Sequence, residues 1–188
     1  PCSQAAQREG VDWLGVALVE EGMTVREGSV TTPILVFGAL NWDGMEAAAR
    51  YDLTVPLPDV NSVQLAQRAA EQAGKPINAH IKLDTGMNRI GARTKEELLA
   101  ILDALKHAPM VQVTGVFTHF ADADTPAREY TDFQLARFRE LLKLLPEGLL
   151  IHAAATGAAL FRPDAHFDMV RLGTGLYGYP PEGSPVAF

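Results

Sequence analysis

Residues 77–84, "INAHIKLD", run into 85–91, "TGMNRIG", and together read as a buried strand ending in a polar turn. Lys82 stands inside this strand, between Ile81 and Leu83. Strand side chains alternate faces. With Ile81 and Leu83 turned toward covering helices, His80, Lys82 and Asp84 point the other way. A lysine so placed is an imine-forming nucleophile, a structural partner of Asp84, or a modified side chain.

Outward from this strand the same unit recurs. Further strands are predicted at 13–19 (WLGVALV), 33–40 (PILVFGAL), 53–59 (LTVPLPD, weakened by its prolines), 111–120 (VQVTGVFTHF), 149–155 (LLIHAAA) and within 168–179 (DMVRLGTGLYGY). Helical patterns lie between them. Ser62 is a plausible N-cap for the helix over 62–74. Thr94 with Glu97 makes a capping box for 94–109, which Pro109 stops. Alternating strands and helices point to parallel β/α units, either an open doubly wound sheet or a (β/α)8 barrel. No Gly-rich dinucleotide fingerprint follows any strand, and polar residues gather at strand ends, which favours the barrel. The expected fold is thus α/β, a TIM-type (β/α)8 barrel that is incomplete, with about seven units present. The chain opens on Pro1 inside a helix-like stretch, so the first strand is expected to be missing. Residues 1–178 are read as a partial barrel domain, and 179–188 as the start of a linker to a further domain.

The chain has 188 residues, enough for a proper core, and about half of them are apolar. A net charge of −7 with no basic run argues against a nucleic-acid partner. No window approaches the roughly 20 apolar residues of a membrane span. A single cysteine, Cys2, allows no internal disulfide and suits a reducing cytoplasm.

Four strands deliver ionisable or polar groups to one end: Lys82 and Asp84, His119, His152, and Arg171. Barrel active sites are built at that end, and each buried charge needs a partner. The glycine-rich "RLGTGLYG" after Arg171 and the Thr156-Gly157 helix start offer two groups of backbone donors suited to a phosphate.

"HIKLDTGMNRIG", "GVFTHFADAD", "IHAAATGAALF" and "FDMVRLGTGLYGY" together resemble the alanine racemase family, in order along nearly the whole chain. These are enzymes that use pyridoxal 5′-phosphate (PLP). The resemblance implies a homodimer with an N-terminal barrel and a C-terminal β domain, interconverting L- and D-alanine for the bacterial cell wall. It implies that Arg171 meets the cofactor's pyridine nitrogen with His119 in support. Arg89 would contact the cofactor's phenolic oxygen and help place the substrate carboxylate. Thr156, Gly173 and Thr174 would hold the phosphate. Lys82 matches a position often N-carboxylated in the family, where the resulting anion steadies Arg89. The Schiff-base lysine and the tyrosine acting as second base are expected outside these 188 residues, so the fragment alone is expected to be inactive.

The sequence departs from the family at Ala154-Ala155-Thr156, where "ANS" is usual: Thr156 keeps a hydroxyl, but Ala155 lacks an amide. Substrate choice among alanine, serine and lysine stays open. Two other readings remain at this point. One is a metal-dependent amidohydrolase built on a carbamylated lysine with His80, His119, His152 and Asp122. The other is a non-catalytic PLP-binding barrel. The racemase reading itself calls for no metal.

Overall fold

The computed structural model describes residues 1–124, 129–179 and 181–184. Pro180 and residues 185–188 of the expected linker lie outside the described residues. Helices α1 (Cys2–Arg8), α2 (Val19–Glu27), α3 (Trp42–Arg50), α4 (Val60–Ala73), α5 (Lys95–Leu105), α6 (Glu129–Leu142) and α7 (Thr156–Phe161) alternate with strands. The strands are β1 (Leu14–Val16), β2 (Ile34–Val36), β3 (Val55–Leu57), β4 (Ile77–Lys82), β5 (Val111–Phe117) and β6 (Leu150–His152).

Every strand pairing with a described register is parallel. The hydrogen-bonded order is β1-β2 in one sheet and β3-β4-β5-β6 in the other, with a single bridge from Leu35 to Thr54 after β2. Strand order never reverses, so the topological switch point of a doubly wound sheet is absent from the described residues. Sequential parallel pairing is the rule of the TIM-barrel type, and the fold is α/β of that type, without a closed ring among the described residues.

Two compact units share the chain. The first comprises Pro1–Ile81 and Ala100–Val113, the second Lys82–Leu99 and Thr114–Phe188. In the first, β2 and β3 are buried at every position, as expected of parallel strands covered on both faces. Ile34, Leu57 and Ile81 from the strands and Met45, Ala66 and Ala69 from the helices are fully buried in its core. Helix α4 departs from expectation at its start. Its N-cap is Asp59, whose Oδ1 accepts the Ser62 N–H at 2.8 Å, while Ser62 lies inside the first turn and completes a capping box. A carboxylate is a strong cap and also complements the helix dipole. The capping box predicted for α5 forms: Thr94 Oγ1 accepts the Glu97 N–H at 3.2 Å and the Glu97 carboxylate accepts the Thr94 N–H at 3.3 Å.

In the second unit, Leu83, Phe120, Leu135 and Phe138 form the core around the ends of β4 and β5. Here the seventh predicted strand does not form. The 168–179 segment makes one bridge, Met169 to His152, and then a 3-10 turn over Thr174–Tyr177. The Gly173 and Gly175 N–H groups go to the Thr156 hydroxyl at 2.9 and 3.3 Å, which takes them away from any strand ladder.

Candidate active site

Lys82, Asp84, Arg89, His119, His152, Thr156, Arg171, Gly173 and Thr174 belong to the second unit, whereas His80 belongs to the first. The turn after β4 is organised by Asp84, which is 1% exposed. Its Oδ1 accepts the N–H groups of Gly86 (3.1 Å) and Asn88 (2.9 Å), and its Oδ2 accepts that of Arg89 (2.9 Å). Burial pushes the Asp84 carboxyl up, but these three N–H groups and the charge of Lys82 outweigh it and hold it below the usual carboxylate range. Asp84 is thus the anchor of the turn that carries Arg89, whose own residue is exposed.

Lys82 is 2% exposed and donates to the Leu83 carbonyl at 2.9 Å, with its ammonium 5.1 Å from the Phe117 ring centroid. Lys82 and Asp84 favour each other's charged forms, but no direct ion pair joins them among the described residues. Among the described ion pairs Asp84 is joined by Arg93 at 3.6 Å, because its oxygens are already turned to the backbone of the loop. Burial lowers the Lys82 amine from 10.5 to about 7; Asp84 opposes this, and the Arg171 and Arg89 charges add to it.

Arg171 is the centre of the site. Its Nη1 donates to His152 Nδ1 at 2.6 Å, and its Nη2 donates to the carbonyls of Ala153 (2.7 Å) and Thr118 (2.9 Å) and to His119 Nδ1 at 3.3 Å. A guanidinium has no acceptor, so both imidazoles must present an unprotonated Nδ1 to it. Burial, followed by the charges of Arg171, Lys82 and Arg89, lowers His119 to about 4, which keeps it neutral. Burial also lowers Arg171 to about 10, so it remains a cation near neutral pH. His152 stacks flat on Phe117, with centroids 4.9 Å apart and the planes 3° from parallel. The sequence singled out His119 as the support of Arg171; His152 makes the shorter contact. Its own signal was only a polar residue at the end of β6.

Thr156 opens α7 and is buried. Its Oγ1 accepts from Gly173 and Gly175, using both lone pairs, so its own proton is left to donate. A Cβ on Gly173 would meet nothing nearer than Thr156 Oγ1 at 3.8 Å, so the space over this glycine is open. Thr174 is exposed beside it. A cation held by two imidazoles, and an open glycine turn with a hydroxyl donor in the same unit, offer groups suited to an anionic ligand. Lys82 and Arg89 are brought near one another electrostatically, without a described hydrogen bond between them.

The chain is similar to known proteins along nearly its whole length. An alanine racemase of Symbiobacterium thermophilum is 41% identical over 187 residues, covering 96% of this chain and 49% of the relative. Among solved structures, an alanine racemase of Clostridium difficile 630 superposes with a TM-score of 0.91 at 31% identity, covering 96% of this chain and 48% of that one. A histidine racemase of Leuconostoc mesenteroides reaches a TM-score of 0.90 at 29% identity, covering 99% and 52%. The chain spans about half the length of the curated relatives it matches. Residues 1–181 match the family model described as "Alanine racemase, N-terminal domain", and the chain belongs to that family.

Proposed function

We propose that this chain is the cofactor-binding domain of a PLP-dependent alanine racemase that supplies D-alanine for peptidoglycan. The observation carrying this reading is the Arg171 clamp, held by His152, His119, Thr118 and Ala153, in the same unit as the open Thr156–Gly173 turn. The residues present fit PLP: a permanent cation suits a pyridine nitrogen, and a hydroxyl donor beside an unfilled glycine suits a phosphate. Bound PLP supplies a conjugated, electron-accepting ring that acidifies the α-proton of an amino acid. Arg171 gives the ring nitrogen a hydrogen bond without giving up its proton. His119, neutral, accepts from Arg171 and holds it in place. Thr156 and Thr174 hold the phosphate over the open face of Gly173, whose own N–H is given to Thr156, and Arg89 binds the substrate carboxylate. Neither proton-transferring base is assigned to these 188 residues.

Lys82 is proposed to be N-carboxylated. The nitrogen lone pair of the neutral amine attacks carbon dioxide, a C–N bond forms, one C=O electron pair moves to oxygen, and a proton leaves nitrogen for water. An amine near 7, buried beside the Arg171 and Arg89 charges, suits this step, because both cations favour the resulting anion. Two further proposals are a homodimer and a cytoplasmic location. Exposed Leu172, Leu176, Tyr177 and Tyr179 support the dimer. A lone cysteine supports the reducing compartment, and no helix among the described residues is long and apolar enough to cross a membrane. The amidohydrolase alternative is not favoured, since the relatives and solved structures this chain resembles are racemases.

The test is the full-length protein assayed for conversion of L-alanine to its D form, with histidine, serine and lysine alongside. We expect bound PLP and alanine turnover, with Arg171→Gln lowering kcat/KM on the order of a hundred-fold. Protein that neither retains PLP nor racemises alanine when PLP is added overturns the reading.

A further inference from the structure

Helix α6 carries Tyr130 and Gln134 one turn apart, and both reach the turn after β4. Gln134 is fully buried, and its amide is engaged at both ends. Its Oε1 accepts the Ala121 N–H at 2.8 Å, and its Nε2 donates to the His119 carbonyl at 3.2 Å and to Thr85 Oγ1 at 3.3 Å. Thr85 Oγ1 lies 2.8 Å from Thr118 Oγ1, and the carbonyl of that same Thr118 accepts from Arg171. Two short routes therefore run from Gln134 to Arg171, one through Thr85 and Thr118 and the other through His119. On the second side, Tyr130 donates its hydroxyl proton to the Gly86 carbonyl at 2.8 Å. Gly86 has φ +150°, and a Cβ there would stand 2.8 Å from the Tyr130 hydroxyl and 3.1 Å from Gln134 Cγ. Only glycine allows the helix to approach this turn so closely.

We propose that Gln134 is a positioning residue for the reaction. It ties the end of β5, which holds Arg171, to the turn after β4, which carries Arg89, so that the two arginines keep one geometry. The inference rests on the racemase reading given above. Gln134 touches neither cofactor nor substrate in this account; it acts through Thr85, Thr118 and His119.

The test uses the full-length protein and the variants Gln134→Met and Thr85→Val. Methionine is close in size and removes both amide ends. Ala121 is exposed and His119 half-buried, so water can take over their backbone groups. Three results are expected. In cofactor-free protein, amide hydrogen exchange rises in segments 84–89 and 114–121 for Gln134→Met and not in α7. With PLP bound, the visible circular dichroism of the cofactor weakens in both variants, and kcat falls about tenfold in each. The double variant is no worse than the poorer single one, as expected of residues on one route. Thr85→Val, a smaller change, carries the test if Gln134→Met does not fold. Unchanged dichroism and kcat with only a lowered Tm would make Gln134 a core residue and sink the proposal, as would fully additive losses. If wild-type protein fails to bind PLP, it is the racemase reading that falls, and the exchange data still report whether Gln134 holds the two segments.

Discussion

A primary amine that is 2% exposed, 2.9 Å from a carbonyl and without a carboxylate at ion-pair distance among the described residues is a costly group when charged. The fall of Lys82 from 10.5 to about 7 corresponds to a charge penalty on the order of 5 kcal/mol at acidic pH. The sign follows from proton counting. The unfolded chain binds more protons than the folded one between about pH 7 and 10.5, so stability rises with pH across that window. In carbonate-free buffer, Lys82→Met should raise Tm at pH 6, and the gain should shrink steadily as pH approaches 10. Equal Tm differences at both pH values would mean that the amine is not desolvated. Added isotopically labelled bicarbonate should give a carbamate resonance in the wild-type protein that is lost in Lys82→Met, and its absence would remove the N-carboxylation proposal.

At the scale of the element, the turn after β4 works as a preformed holder built on one carboxylate. Three N–H donors converge on Asp84, and the last of them belongs to Arg89. Asp84→Asn puts an NH2 group where an acceptor is needed, which leaves a buried donor unmet at a cost of about 1–3 kcal/mol. The expected outcome is a lower Tm and a several-fold rise in KM for alanine, because the displaced residue is the one proposed to bind the carboxylate. An unchanged KM would detach the turn from substrate binding. The elements also mark how far the sequence was legible. The α5 capping box follows from Thr94 and Glu97 alone, because it joins neighbours three residues apart. The start of α4 was misplaced at Ser62, since Asp59 and Ser62 both suit a cap and only the backbone geometry at Asp59, extended with φ −158°, settles which ends the helix. The strand expected in 168–179 is cut short: Asp168 and Arg171 donate to the Ile151 and Ala154 carbonyls, but Gly173 and Gly175 donate to the Thr156 hydroxyl, an acceptor 17 residues from the nearer glycine.

For the whole molecule, the order of strands matters most. Each β/α unit pairs with the next, which gathers strand ends from distant parts of the sequence into the second unit's site. The same unit presents apolar side chains to solvent: Leu172 is 54% exposed, Leu176 58%, Tyr177 65% and Tyr179 71%. A stretch of this kind favours association. Light scattering on the full-length protein should give twice the chain mass, and Leu176→Asp with Tyr177→Asp should shift it toward the monomer. A monomeric wild type would overturn the homodimer proposal.

The sequence by itself determined the alternation of strands and helices and the family, because apolar strand runs, helical periodicity and short motifs are local properties of the chain. Tertiary structure decided what the residues touch. Arg171 meets His152 across 19 residues and Thr118 across 53, and Gln134 reaches Thr85 across 49. Contacts at such separations depend on which strands become neighbours, and no local pattern encodes that. The role of Asp84 as anchor of the turn after β4 was likewise decided by where three backbone N–H groups point once the turn has closed.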